Sequence, residues 1–113
     1  MASLDAVTWN RLRVALRALS RHKPIVAAWL FGSRASGHSD EWSDYDLAVF
    51  IEGAGTLDFP EAARLCAAIQ KEAGDDIELH LFSAEQACAP EPASFAAYVM
   101  AHGIRLPLED LPA

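Results

Sequence analysis

The sequence predicts an α/β domain: a small mixed sheet of three to four strands with flanking helices. Three observations carry this. The apolar runs Ile25–Phe31 and Tyr45–Ile51 are too short for helices and stop near glycine, as buried strands do. Segments with apolar residues at helical spacing alternate with these runs, the pattern of helices laid on a sheet. Finally, 113 residues, 52% hydrophobic and 22% charged, suit one core, so residues 1–113 are read as a single domain.

Residues 3–22 form the first predicted helix. Leu12, Ala15, Leu16 and Leu19 make its apolar stripe, while Arg13, Arg17 and Arg21 line another, solvated face. Ser3 or Asp5 can cap its start, and Pro24 closes it. Ile25–Phe31 follows as a strand buried on both faces, and residues 32–37 turn into the opening of a short helix. Tyr45–Ile51 is the second strand. Residues 60–73 form a helix with Pro60 in its first turn and Gly74 after its end; Ala62, Leu65, Cys66 and Ile69 face inward. Residues 77–82 alternate as a third strand. Residues 83–91 make a capped turn interrupted by Pro90 and Pro92, residues 93–102 a last helix, and residues 104–106 a short extended piece.

Charge narrows the function classes. The first 23 residues carry five basic groups against Asp5, whereas the rest hold four basic and fifteen acidic groups. An acidic body disfavours binding to nucleic acid, which needs many cationic side chains on phosphates, so no direct nucleic-acid partner is expected. Nor does any apolar run approach the ~20 residues that cross a bilayer. Cys66 and Cys88 lie among alanines without metal or redox spacing, and read as small buried hydrophobes in a reduced compartment. The expected location is the cytoplasm.

The chemistry concentrates in residues 32–50. Asp40, Glu41, Asp44 and Asp46 crowd together, and the last two stand at the mouth of an apolar strand. Charge there is costly unless it is paired or holds a metal. Strand alternation puts Asp44 and Asp46 on one face, ~6.6 Å apart along the backbone, a reach suited to one or two divalent ions. No histidine or cysteine is spaced as a co-ligand nearby, so the hard oxygen set favours Mg²⁺. If the third strand is the neighbour of the second, Glu78 faces the pair and completes an acidic triad. His80 shares that face, either lining the site or packed as a core histidine. Asp76 belongs to the turn before this strand or supplements Glu78. Trp29 is expected in the core and Trp42 in the core or at its rim.

Gly32-Ser33 supplies the complementary half. Glycine closing a strand allows a phosphate to approach the backbone closely, and the turn that follows offers N–H groups to it. Ser33 can donate a hydroxyl hydrogen bond. Arg34 either adds a charge-assisted contact to phosphate or pairs with a neighbouring acid.

Gly32-Ser33, ten residues, then Asp44-Tyr45-Asp46 resembles the signature of the nucleotidyltransferase superfamily, in particular its minimal (MNT-type) branch. The similarity extends from the leading helix through "SDYDLAVF" to "DDIELHLFS". It implies a polymerase-beta-like fold that uses Mg²⁺ and ATP and transfers a nucleoside monophosphate to a hydroxyl. By match to the motif, Gly32, Ser33 and Arg34 would bind the nucleotide phosphates, and Asp44 and Asp46 would hold metal. Glu78 stands where the branch usually has an aspartate that serves metal and acceptor. Glutamate there, and Ser36 where a further arginine is common, depart from the pattern and bear on catalytic competence.

Members of this branch are often antitoxins paired with a HEPN-type toxin, and some adenylylate a tyrosine of that toxin. Superfamily members that modify antibiotics carry a further substrate domain. These residues contain none, which points to an acceptor on a partner. The resemblance therefore implies a protein adenylyltransferase acting on a HEPN-type partner in a hetero-oligomer. The alternative is an antitoxin that neutralises its toxin by binding alone.

Overall fold

Asp5 starts the first helix, α1 (Ala6–Ser20), by accepting a hydrogen bond from the Thr8 N–H at 2.7 Å. The computed structural model describes residues 5–36 and 44–110. Ser3, Asp40, Glu41 and Trp42, named above, lie outside the described residues. Leu12, Ala15, Leu16, Ala18 and Leu19 of α1 are buried, as the stripe predicts. Arg13 and Arg17 are half-buried rather than solvated, and the Arg13 guanidinium lies 5.9 Å from the centre of the Trp9 ring.

The strands are β1 (Ile25–Phe31), β2 (Tyr45–Ile51), β3 (Ile77–Ser83) and β4 (Ile104–Arg105). They form one four-stranded sheet in the order β3-β2-β1-β4. β1 runs antiparallel to both β2 and β4, whereas β2 and β3 are parallel, so the sheet is mixed. Parallel neighbours need a crossover, and α3 (Phe59–Ala73) supplies it. Asp58 caps α3 on the Glu61 N–H at 2.8 Å, and Gly74 ends it at a φ of 126°. Of its predicted inner face only Ile69 is buried; Ala62, Leu65 and Cys66 are half-buried.

The predicted 83–91 turn contains a short helix, α4 (Ala84–Cys88), held by reciprocal Ser83 and Gln86 hydrogen bonds. The last helix, α5 (Phe95–His102), begins two residues later than expected. Ala93 takes a left-handed φ of 63° and cannot continue a helix, so Ser94 becomes the cap, accepting from the Ala97 N–H at 3.1 Å. Both cysteines depart from the buried reading. Cys66 is half-buried, with its thiol pKa raised by desolvation, and Cys88 is exposed.

Strand alternation sorts the core into two layers. Leu47, Val49, Ile51 and Ile77 pack against α1 and Ile69 on one face. Ala27, Phe31, Ala48 and Phe50 pack against Ala96 and Val99 of α5 on the other. β2 lies between β1 and β3, and every residue from Leu47 to Ile51 is fully buried. That burial fixes the register, because a one-residue slip would turn its apolar set over. No helix among the described residues is long and apolar enough to cross a membrane.

Candidate active site

Three segments meet at one end of the sheet. Antiparallel pairing sets Phe31, the last residue of β1, opposite Asp46. Parallel pairing sets Asp46 opposite Glu78. Gly32, one step past Phe31, therefore comes against the Asp46 side chain. It adopts a φ of 79°, and a Cβ built on it would collide with Asp46 Oδ2. Glycine is required here twice over, for its left-handed backbone and for the close approach. The two halves of the motif, ten residues apart in sequence, touch in the fold.

Asp46, Glu78 and His80 each offer one ligand atom, and these atoms all lie within 4.8 Å of one another. His80 Nε2 is 3.4 Å from Asp46 Oδ1 and 3.9 Å from Glu78 Oε1. The side chains of Asp46 and His80 are about a quarter exposed (26% and 27%), whereas Glu78 is 55% exposed. Asp46 and His80 are thus the more covered members of the cluster, and Glu78 the more solvent-facing. Asp44 stands exposed just outside β2, with the alternation that puts it on the Asp46 face. It is not one of the three clustered groups.

His80 corrects the expectation that no histidine stands near the carboxylates. It stands beside Asp46 and Glu78 and is also packed. Its ring meets Phe31 edge-on at 5.0 Å and Phe95 at 5.9 Å. The signal was present in the sequence as the shared parity of Glu78 and His80. What the sequence did not contain is the diagonal approach of His80, opposite the small Ala48, back toward Asp46.

Asp76 and Arg34 are drawn elsewhere. Arg11 donates two hydrogen bonds to Asp76, at 2.7 and 2.5 Å. Those bonds hold the Asp76 carboxyl below its ordinary pKa, with a smaller contribution from the Arg34 charge. The guanidinium of Arg34 lies 4.3 Å from the centre of the Tyr45 ring, and that of Arg11 lies 5.1 Å from it. Tyr45 points to the face opposite Asp46, so this clasp is separate from the acidic cluster. Ser33 opens α2 (Ser33–Ser36), a single helical turn whose Ala35 N–H donates to the Gly32 carbonyl at 3.1 Å.

Among the described residues no lysine or arginine pairs with Asp46 or Glu78. Two close carboxylates so placed repel each other and favour a bound cation. The residues fit a divalent ion by donor type, and the absent Cβ of Gly32 lets the Asp46 carboxylate lie directly against the backbone of the turn. A concavity of about 700 Å³, lined by Val26, Arg105, Leu106 and Glu109 among others, sits at the β4 edge. It contains neither the glycine turn nor the cluster.

Residues 15–106 match the family described as Polymerase beta, Nucleotidyltransferase. No protein of curated function matches the chain. Among solved structures, the fold is similar to that of a Sulfolobus solfataricus protein described as a candidate nucleotidyltransferase. The TM-score is 0.56 at 14% identity, covering 71% of this chain and 70% of that one. At that identity the likeness is one of fold.

Proposed function

The chain belongs to the polymerase beta nucleotidyltransferase family, and from that premise we propose that it transfers AMP from ATP to a hydroxyl of a partner protein. The observation that carries this reading is the contact between the Gly32 backbone and Asp46, beside Glu78. It brings the glycine turn, where the motif would hold phosphate, directly against the carboxylates that would hold a cation.

Asp46 and Glu78, with Asp44 at the strand mouth, would hold Mg²⁺. When bound, the ion neutralises phosphate charge and stabilises the leaving pyrophosphate. Gly32 keeps the backbone clear for the triphosphate, and Ser33 offers a hydroxyl to it. The acceptor oxygen forms a bond to the α-phosphorus as the α–β bridging bond breaks, and pyrophosphate leaves. Glu78, the most exposed member of the cluster, is reachable by an incoming hydroxyl and can take its proton. Phe95, whose ring meets His80, and Tyr98, stacked on Phe95, are each about half exposed and suit contact with a protein that carries the acceptor.

The motif's resemblance to the minimal branch makes a HEPN-type toxin the proposed partner and antitoxin the proposed role. The experiment mixes the full chain with Mg²⁺, α-labelled ATP and a HEPN-type protein. Label should appear on the partner and vanish with Asp44→Asn/Asp46→Asn. Neutralisation of the toxin by both forms without label would replace transfer with binding alone.

A further inference from the structure

We propose that His80 is a ligand of the cation in this site, making it a mixed oxygen–nitrogen centre that takes Mn²⁺ ahead of Mg²⁺. The inference rests on the nucleotidyl-transfer reading only for the presence of a cation at Asp46 and Glu78.

The distances favour ligation over a hydrogen bond. At 3.4 Å, His80 Nε2 and Asp46 Oδ1 are farther apart than a well-formed N–H···O pair. Two donors that share an ion at about 2.1 Å bonds stand about 3.0 Å apart at a right angle and about 3.4 Å apart in a tetrahedron. The Asp46–His80 spacing of 3.4 Å equals the tetrahedral value and lies about 0.4 Å beyond the right-angle value of an octahedral ion such as Mn²⁺, a closure within reach of the Asp46 side chain. Glu78 Oε1, at 3.9 Å from the same nitrogen, belongs to the longest and most exposed side chain of the three, and closes with a small swing.

The imidazole is also held in place. Phe31 and Phe95 meet its ring edge-on, at interplanar angles of 66° and 77°. Ala48 opposite it is too small to displace it. A ring so confined keeps Nε2 aimed at the carboxylates without the ordering cost that a free surface histidine would bear.

Donor chemistry then sets the preference. Mg²⁺ takes oxygen ligands and gives up water reluctantly, so a nitrogen donor adds little to it. Imidazole suits first-row transition ions, and among these Mn²⁺ shares with Mg²⁺ the preference for carboxylate oxygen, so it is the first-row ion nearest to this oxygen-rich donor set. The opposing account is that His80 is a fixed counter-cation for Asp46, in which case it competes with metal.

The two accounts predict opposite signs. The test titrates Mn²⁺ into the full wild-type chain, without nucleotide or acceptor, and reads electron spin-echo modulation from directly bound nitrogen. A nitrogen signal is expected in the wild type. In His80→Ala that signal should be lost and Mn²⁺ affinity should fall at least about tenfold, while Mg²⁺ affinity changes far less. Absence of nitrogen modulation in the wild type overturns the proposal. So does equal or tighter Mn²⁺ binding by His80→Ala, or no Mn²⁺ binding at all. The wild-type signal needs no variant to fold. It is also read apart from label transfer, so nitrogen coupling without transfer supports ligation while removing the enzymatic reading.

Discussion

Asp46 and Asp76 lie at the same end of the same two strands, yet the fold treats them in opposite ways. The Tyr45 N–H donates to the Asp76 carbonyl at 2.7 Å, so the two carboxylates belong to adjoining stretches of backbone. Asp76 receives both arms of the Arg11 guanidinium, and Arg34 adds its charge nearby. Asp46, on the other face, has a second carboxylate and an imidazole for neighbours. A carboxylate that the chain neutralises itself is a structural part, here a clasp between α1 and the start of β3. One that faces another acid is a candidate to hold a cation. The difference lies in the partners, not in the residue type.

The strongest challenge to this contrast is to neutralise each carboxylate in turn. In the proposed function, Asp46→Asn removes a metal donor, and metal charge stabilisation is worth several kcal/mol. Label transfer should fall by about 10³-fold, with folding retained and metal affinity reduced. Preserved activity would mean that the cluster is not the reacting centre. Next in size is Gly32→Ala. It places a side chain on a positive φ, costing about 1–2 kcal/mol, and drives a Cβ into Asp46 Oδ2. A displacement of about 1 Å in such a site costs on the order of 10²-fold in rate. The ratio of rate loss to stability loss, from labelled-ATP assays and urea unfolding, distinguishes a site glycine from a merely structural one.

How much of this was legible beforehand follows from the range of each interaction. The apolar runs of β1 and β2, and the parity that groups Asp46 on one side and Tyr45 on the other, are local and could be read directly. Glu78 was placed by the same parity, conditional on β3 lying beside β2; the parallel register meets that condition. His80 was harder, because its approach to Asp46 depends on the lean of a side chain across two strands. The Arg11–Asp76 pair joins residues 65 positions apart, and nothing in the α1 periodicity marks Arg11 from its neighbours. Cys88 shows the limit of composition: alanine neighbours suggest burial, but as the last residue of the short helix α4 it is exposed.

The clasp predicts a smaller effect, on stability alone. Asp76→Asn should leave label transfer unchanged and lower stability at neutral pH by about 1 kcal/mol. Roughly a third of each side chain is exposed (35% and 39%), so solvent screening keeps the value far below that of a buried pair. The folded pKa of Asp76 is lowered from 3.8. Its stabilising contribution is therefore present above that value and lost as pH falls through the lower, folded one. Urea midpoints of wild type and variant should differ at pH 7 and converge in acid. A difference that persists in acid would assign the loss to packing instead of charge.

The smallest expected effect tests whether self-neutralised charge is structural wherever it occurs. Arg21 Nη1 reaches the two oxygens of Glu72 at 3.1 and 3.3 Å, joining α1 to α3 as Arg11 joins α1 to the β3 turn. The geometry is looser and the side chains are 58% and 44% exposed. Water competes for both groups, and holding two long side chains together costs rotamer entropy, so the coupling should be about 0.3 kcal/mol and fade with added salt. Double-mutant cycles on the two pairs make the comparison directly, with Arg11–Asp76 expected to couple about threefold more strongly. Equal couplings would show that partial burial and the two-armed geometry add nothing, and the clasp would then be ordinary surface charge.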